Sequence, residues 1–237
     1  MTKYLIIGAG KLAKHLNHYL SLLEHHPLNW DRSQDPHLLK TKVAEASHVL
    51  LAISDSALEN FYLKHLAGLD KTVVHFSGAL NIPDVIAAHP LMTFGPKLYD
   101  RDTYFRIHFV LTGATSLTEA LPGLPNEFSI LAPEHKALYH SLCVIGGNFP
   151  VILWQKMFSE MERLGVPREA ARVYLETVLH NTMKNPQTAL TGPLARKDKA
   201  TVLKNIEALE NDPFQEVYFT FARIVAPELL GEKERKP

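Results

Sequence analysis

Short apolar runs alternate with amphipathic segments through the first half of the chain. The runs are rich in Val, Ile and Leu, which is typical of strands buried on both faces of a parallel sheet. The segments between them carry apolar residues at helical spacing, most clearly from Leu12 to Leu23. The predicted strands are Tyr4–Ile7, Leu28–Trp30, Val49–Ile53, Thr72–Phe76, Val85–Ala87 and Ile107–Leu111. This alternation predicts an α/β fold with a parallel sheet.

The pattern changes near residue 130, after which only helical periodicity is found. Pro133 opens a helix that is expected to be interrupted near Gly146-Gly147. Further helices are predicted to begin at Pro167, Asp198 and Pro213. The chain is therefore predicted to form a parallel-sheet domain over residues 1–130 and an all-α helical domain over residues 131–237. The charged tail from Gly231 onward is expected to be frayed.

A glycine-rich turn lies between the first strand and the first helix. Gly8-Ala9-Gly10-Lys11-Leu12-Ala13 fits the pattern G-x-G-x-x-A. The first glycine allows a tight turn, the second lets the backbone approach a pyrophosphate, and the small third residue lets helix pack on strand. The free N–H groups of the helix then face the anion. The motif predicts a Rossmann-type domain that binds a dinucleotide at Gly8, Gly10, Lys11 and Leu12, although a structural turn without ligand has the same pattern.

The second predicted strand ends at Asp31-Arg32-Ser33, where such folds distinguish NAD from NADP. An acidic residue there binds the ribose hydroxyls of NAD, whereas a nearby arginine accommodates the 2′-phosphate of NADP. Arg32 and Ser33 could supply a guanidinium fork and a hydroxyl to that phosphate. NADP is therefore the favoured cofactor, with NAD and a solvated surface turn as the alternatives.

Polar residues follow three further strands, at the edge where open parallel sheets bind their ligands. Ser54 and Asp55 follow one strand and Ser77 another, so we expect them to line the nicotinamide side of the cofactor. His89 precedes a proline, which favours an extended backbone and could direct the side chain to a substrate. A hydrogen-bonded structural histidine is an equally good interpretation of His89.

The first helix of the second domain carries the candidate proton donor. Lys136 and His140 are four residues apart and share a helix face. A lysine whose pKa is lowered towards neutrality can protonate a carbonyl oxygen, and His140 and Asn148 could orient the substrate. A solvated helix face is the alternative. Further along, Thr191 and Arg196 lie in a loop that could hold a substrate carboxylate, or could be a plain connecting turn.

Charge and composition narrow the classes of partner. The chain has 25 basic and 25 acidic residues, so nucleic acid is not an expected partner. The uncharged stretch from Ser141 to Trp154 is shorter than the roughly 20 residues that span a bilayer, so no membrane contact is expected. Cys143, the one cysteine, is expected in the core and favours a cytoplasmic protein. The histidine pairs at residues 15/18 and 25/26 lack an acidic partner, so no metal is expected.

Four segments together resemble a known family: Val74–Leu80, His89–Phe94, Lys136–His140 and Ala189–Arg196. It is the group of NADP oxidoreductases with an N-terminal Rossmann domain and a C-terminal helical domain of once-unknown function. Its wider superfamily includes 6-phosphogluconate dehydrogenase, pyrroline-5-carboxylate reductase and ketopantoate reductase, and several members use a helix lysine as acid or base. The polar residue one turn later is commonly Asn in that superfamily, where this chain has His140.

The resemblance implies NADPH-dependent reduction of a small 2-oxo acid in a cleft between the domains. Because some members are alternative ketopantoate reductases, the sharpest expectation is ketopantoate to pantoate, a step of pantothenate biosynthesis. Two alternatives stay open: an oxidation like that of prephenate dehydrogenases, whose His-Pro segment His89-Pro90 resembles, and a nucleotide-binding regulatory protein without catalysis. Apolar faces around Phe214, Tyr218 and Phe221 predict a homodimer through the helical domain.

Overall fold

The computed structural model describes residues 2–230, so the charged tail from Gly231 to Pro237 lies outside the described residues. The chain divides into two compact units, residues 1–151 and 152–237, and each is described by itself. The first unit thus extends beyond residue 130, where the sequence pattern changes. It includes the start of the long helix, because Tyr139 bonds to His89 in the sheet and Lys136 bonds to Ser77 in the loop that follows a strand.

The first unit is built on one seven-stranded sheet with the strand order β2-β1-β3-β4-β5-β6-β7. All neighbouring strands are parallel except β5 and β6, which are antiparallel. The strands are β1 (Tyr4–Ile7), β2 (Leu28–Trp30), β3 (His48–Leu51), β4 (Thr72–His75), β5 (Ile86–Pro90), β6 (Phe109–Thr112) and β7 (Phe128–Ile130). The predicted Rossmann-type sheet is confirmed, and β1 and β3 flank the point at which the strand order reverses.

Helices cover both faces of this sheet and bury two apolar clusters. Tyr4, Ile6 and Leu50 belong to one cluster, whereas Leu5 and Ile7 belong to the other, because successive side chains of a strand point to opposite faces. The first helices are α1 (Lys11–Leu22), α2 (Pro36–Glu45), α3 (Asp55–His65), α4 (Arg101–Phe105) and α5 (Leu117–Ala120). Burial on both faces explains why these strands read as continuous apolar runs.

The second half of the sheet agrees with the sequence in one respect and differs from the prediction in two. No helix joins β4 to β5, which agrees with the short sequence between Leu80 and His89. His89 and Pro90 belong to β5 itself, because the strand pairs with β6 as far as Pro90. The strand β7 was not predicted: its residues are all exposed and form no buried apolar run. It still pairs with β6 from Phe128 to Ile130.

One helical stretch runs from Pro133 to Arg163 without the predicted break. A short 3₁₀ turn leads into α6 (Lys136–Cys143), and α7 (Phe149–Arg163) follows. Between them Gly146 and Gly147 lie in one wide turn of π-helix, residues 144–148. The glycines loosen the helix locally, but the backbone hydrogen bonds continue through them.

This continuous helix also changes the estimate of apolar length. The stretch Pro133–Arg163 is long and apolar enough to cross a membrane by length and composition alone, and its most apolar window is unburied. The uncharged run from Ser141 to Trp154 is shorter than this helix, because isolated charged residues interrupt the run without ending the helix. The absence of membrane contact therefore stays a prediction. A second copy of the chain, instead of a membrane, is another way to cover the apolar surface of this helix.

The second unit contains helices only within its described residues, which agrees with the predicted all-α region. Besides the end of α7 it has α8 (Arg168–Lys184), α9 (Gly192–Ala195), α10 (Lys199–Glu207) and α11 (Phe214–Val225). Its buried cluster is small and lies between α10 and the C-terminal residues: Val202, Ile206, Ala222, Ala226, Leu229 and Leu230. Large apolar side chains stay exposed on α8 and α11, among them Tyr174, Leu179, Met183 and Ile224.

Candidate functional site

The glycine turn has the geometry that an anion-binding loop needs. Gly8 has a φ of +127°, and a Cβ on it would lie 2.3 Å from the carbonyl oxygen of Ala52. Only glycine fits this combination of backbone angle and close approach. Gly10 precedes the first residue of α1, no side chain caps that helix, and a Cβ on Gly10 would meet nothing within 4 Å. The first N–H groups of α1 therefore face open space at the end of β1.

A cleft of about 940 Å³ opens at this turn. Seven of the nine residues that the sequence assigns to the cofactor line it: Gly8, Gly10, Lys11, Leu12, Arg32, Ser33 and Ser54. Trp30, Phe61 and His65 line it as well and were not predicted. A signal for two of them exists, because Ala57, Phe61 and His65 recur every four residues and so share one face of α3. Their flat apolar surfaces suit an aromatic base.

The tip of β2 shows how the acidic and basic residues are used. The Asp31 carboxylate accepts hydrogen bonds from the Ser33 backbone N–H (2.9 Å) and hydroxyl (2.5 Å), which lower the pKa of Asp31. Asp31 therefore closes its own turn. Arg32 has no hydrogen bond or ion pair within residues 2–230 and lines the cleft. The Ser33 hydroxyl already donates a hydrogen bond to Asp31. In this arrangement Arg32 is therefore the side chain available to donate to a ligand in the cleft.

Ser77, just beyond the end of β4, connects the other predicted residues. Its hydroxyl donates to Asp55 (2.6 Å) and accepts from the backbone N–H groups of Ala79 and Leu80. Its carbonyl accepts a hydrogen bond from Lys136 Nζ at 3.2 Å. Asp55 and Ser77 do not line the cleft at the glycine turn; instead they join the cofactor side of the sheet to α6.

Lys136 is the most unusual ionisable group of this region. Only 2% of it is exposed, although lysine is almost always at the surface. Burial lowers the pKa of Lys136 to about 8, and the negative charge of Asp55 partly offsets that effect. The structure thus rules out the alternative of a solvated helix face. An ammonium group with this pKa stays protonated at neutral pH and can give up its proton readily.

Two histidines meet over Gly78, next to Lys136. The rings of His89 and His140 are 6.2 Å apart, and a Cβ on Gly78 would lie 2.6 Å from His140 and 3.1 Å from His89. Nδ1 of His89 is 2.7 Å from the hydroxyl of Tyr139, a contact that the sequence did not predict. Burial, followed by the charges of His140 and Lys136, lowers the pKa of His89 to about 4, so His89 is neutral at physiological pH.

The remaining predicted residues lie apart from this cluster. Asn148 is exposed in the π-helical turn, about 18 Å along the helix from Lys136 at 1.5 Å per residue, so the two do not meet directly. Thr191 precedes the short helix α9 and Arg196 follows it, both exposed in the second unit. Their assignment to a substrate carboxylate stays a prediction.

The other histidines singled out for metal spacing are used otherwise. His15 is buried, with Nδ1 2.7 Å from the Tyr104 hydroxyl and Nε2 3.0 Å from the Gly95 carbonyl. His25 packs edge-on against Tyr4. Residues 2–230 contain no group of three His, Cys, Asp or Glu that could hold a metal. Cys143 is only partly buried, contrary to the expectation of a core position.

Glycine turn, strand order and helical C-terminal region define this chain as a Rossmann-type dinucleotide-fold protein with a helical extension. Residues 108–224 match the model of a family described as a domain of unknown function, DUF2520. The chain carries that domain, and the resemblance seen in its motifs is confirmed. No curated protein sequence matches the chain.

Solved structures share the fold over nearly the whole length. A candidate NADP oxidoreductase of Bacteroides fragilis is 19% identical with a TM-score of 0.76, over 95% of this chain and 98% of its own. A protein of Thermotoga maritima is 21% identical with a TM-score of 0.66, over 98% and 100%. The pyrroline carboxylate reductase of Plasmodium falciparum, solved with NADP bound, is 9% identical with a TM-score of 0.58, over 99% and 98%.

Proposed function

We propose that this protein is an NADPH-dependent reductase of a small carbonyl compound. The observation that carries the proposal is the buried Lys136, whose pKa is about 8 and which lies beside Ser77, Gly78, His89 and His140 on the carboxyl side of the sheet. A buried, weakly acidic ammonium group at the binding edge of a Rossmann sheet is the group that a developing oxyanion needs.

The cofactor would lie along the cleft at the glycine turn. Its pyrophosphate would meet the N–H groups at Gly10 and Lys11, and Arg32 would pair with the 2′-phosphate. The residues present fit this group, because the cleft supplies free helix N–H groups, an unpaired guanidinium and flat apolar side chains. NADPH supplies a hydride when bound.

The chain's own residues would supply the proton and the orientation. Lys136 would donate a proton from Nζ to the substrate oxygen, while the Ser77 carbonyl holds the amine in place. His89, neutral and bonded to Tyr139, would hydrogen-bond the substrate together with His140. We keep a 2-oxo acid as the first substrate class and ketopantoate as the sharpest guess, with Thr191 and Arg196 as candidate partners of the carboxylate.

A second candidate is reduction of a C=N bond. It is favoured by the names of proteins of the same fold: a pyrroline carboxylate reductase, an imine reductase of Myxococcus stipitatus and a reductive aminase of Aspergillus terreus. Protonated imines carry a positive charge beside the reacting carbon, whereas the ammonium of Lys136 is itself positive. The charge at Lys136 therefore favours the 2-oxo acid.

The first experiment measures NADPH oxidation against a panel of 2-oxo acids, ketopantoate among them, and cyclic imines. Lys136→Ala should lower turnover at least about a hundredfold, because acid catalysis contributes that much. His135→Ala, at an exposed position one residue away, is the matched control and should retain activity. Turnover should also fall as the pH rises through about 8, because Lys136 then loses its proton. Full activity in Lys136→Ala would remove the assigned role.

The second experiment tests the choice of cofactor. Arg32→Ala should weaken NADPH binding by about 1.5–3 kcal/mol, the value of charged hydrogen bonds, and should leave NADH binding nearly unchanged. Lys14→Ala, exposed on α1 and outside the residues lining the cleft, is the control. An equal loss for the two cofactors would mean that Arg32 does not read the 2′-phosphate.

We also propose a cytoplasmic homodimer that pairs through its helical region. The exposed apolar side chains of α8 and α11 support the pairing, because a second copy would remove them from water. The lone cysteine supports a reducing compartment.

A further inference from the structure

His75 is a buried titratable group to which the proposed mechanism gives no role. It ends strand β4 after the buried Val73 and Val74 and is itself fully buried (0% exposed). Its Nε2 has no hydrogen-bond partner among residues 2–230. A buried ring nitrogen without a partner lowers stability, so packing alone would favour another valine or leucine here. A reason for histidine at this position must therefore lie in a contact of the other ring nitrogen, Nδ1.

That nitrogen, Nδ1, accepts the backbone N–H of Ser77 at 3.2 Å. Ser77 is therefore held at each of its polar groups: its N–H by His75, its hydroxyl by Asp55, and its carbonyl by Lys136. The N–H and the carbonyl of Ser77 belong to successive peptide groups. His75 holds the first group at its N–H, and the Ser77 hydroxyl, which accepts from the N–H groups of Ala79 and Leu80, restricts the second. Together these contacts limit rotation about the backbone bonds of Ser77 and so restrict the direction of its carbonyl.

We propose that His75 is a positioning residue for Lys136: by holding the Ser77 N–H it aims the Ser77 carbonyl at the Lys136 ammonium group. This inference rests on the proposed function for its catalytic meaning, because Lys136 is there the proton donor. The structural part, that His75 controls the environment of Lys136 through Ser77, stands on the geometry alone.

The role requires a neutral ring, and the surroundings keep it neutral. Nδ1 can accept from Ser77 only when its proton is on Nε2. Burial, followed by the charge of Lys136, lowers the pKa of His75 to about 4. His75 therefore stays an acceptor at physiological pH and adds no second positive charge beside Lys136. Neither Lys nor Arg could serve in its place, since both are donors only.

Three other ionisable groups lie near Lys136 and must be kept constant in any test. Asp55, at the start of α3, raises its pKa. His89, on β5, and His140, on α6, lie beside Gly78 and would add positive charge if protonated. Measurements above about pH 6 leave His89 neutral, because its pKa is about 4. The variants below leave all three side chains in place.

Two substitutions separate the acceptor from the mere presence of a polar side chain. In His75→Asn the side-chain oxygen can take the place of Nδ1 and accept from Ser77. In His75→Gln the amide reaches the position of Nε2 and leaves the Nδ1 position without an acceptor. His75→Leu removes both nitrogens. Circular dichroism and thermal unfolding select the variants that fold, and the Asn and Gln pair suffices if the Leu variant does not.

The readout is the pKa of Lys136 itself, measured without turnover. Full-length protein labelled with ¹³C at lysine Cε is titrated by NMR, and the signal missing in Lys136→Arg identifies Lys136. The wild type should titrate near 8. His75→Gln and His75→Leu should lower this pKa by about half a unit or more, because the ammonium loses its aligned acceptor. His75→Asn should restore it.

The pH dependence of activity is the second measurement in this test. If NADPH oxidation is found, the alkaline limb of kcat should move with the NMR pKa in each variant, while KM for NADPH stays unchanged. An unchanged Lys136 pKa in His75→Gln, or equal shifts in the Asn and Gln variants, would overturn the proposal. Absence of turnover in the wild type would instead overturn the proposed function, and the NMR result would still decide the role of His75.

Discussion

The two units of this chain bury their apolar residues in different ways. The sheet of the first unit is covered on both faces, and residues such as Leu50 and Ile6 are fully buried. In the second unit α8 buries only Ala171 along its length, while Leu179 and Met183 stay exposed. The sheet of the first unit therefore has a core on each face, whereas α8 of the second unit keeps most of its apolar side chains exposed. The cluster around Lys136 lies in the unit that contains the sheet.

The largest effect should come from opening the core of the first unit. Leu50→Ala should lower its free energy of unfolding by about 2–5 kcal/mol, because a cavity forms in a packed interior. Leu179→Ala is the matched change in the second unit, where the side chain is 44% exposed, and should cost less than about 1 kcal/mol in a single chain.

The two tryptophans allow each unit to be followed separately, since Trp30 is in the first and Trp154 in the second. Urea unfolding of Trp154→Phe and Trp30→Phe backgrounds reports one unit at a time. Light scattering at the same protein concentration then tests the homodimer. A large loss for Leu179→Ala together with a dimeric mass would mean that a second copy covers α8, and a monomer at micromolar concentration would contradict the proposed pairing.

A somewhat smaller effect should appear on mild acidification. The pKa of His75 is about 4 in the folded state and near 6.5 when unfolded, so the unfolded chain binds more protons between these values. Stability is therefore complete above about pH 6.5 and falls as the pH drops towards 4, by up to about 3 kcal/mol. His89 acts in the same direction.

The loss should be confined to the first unit, because the one histidine of the second, His180, is exposed. Urea unfolding between pH 6.5 and 5, read separately from the two tryptophans, measures it. His75→Asn should flatten the pH dependence of the first unit. Equal slopes in the wild type and in His75→Asn would show that His75 does not cause it.

The smallest of these effects separates two neighbouring glycines within the first unit. Gly8→Ala should destabilise by about 1–3 kcal/mol, since alanine is strained at a φ of +127° and meets the Ala52 carbonyl. Gly10→Ala should change stability by no more than about 0.5 kcal/mol, because its φ is −70° and its Cβ meets open space.

Thermal unfolding with and without NADPH distinguishes the two glycines. Both variants should bind NADPH more weakly than the wild type, Gly10→Ala because its methyl group would stand where the pyrophosphate approaches. If NADPH stabilises Gly10→Ala as much as it stabilises the wild type, the pyrophosphate does not lie at Gly10.

Local sequence was enough to predict the features that depend on neighbouring residues. The strands from β1 to β4, the glycine turn and the all-helical second half follow from periodicity and backbone freedom, which act over a few residues. The strand β7 was missed because an exposed strand has no apolar run, and the break at Gly146-Gly147 was wrongly predicted because a helix can absorb glycines in a π-turn.

Contacts across the fold were beyond this kind of inference. Lys136 and Ser77 are 59 positions apart in the sequence, much farther than the residues of any one motif. His89 contacts Tyr139 across 50 positions. Spacing placed Lys136 and His140 on one helix face but left open whether that face is solvated. Only the packing of α6 on the sheet buries the lysine and lowers its pKa. The same packing brings Lys136 to the Ser77 carbonyl, which is the contact that the proposed role of His75 requires. A pKa depends on burial and on neighbouring charges in space, whereas a turn depends on the backbone of the residues that form it.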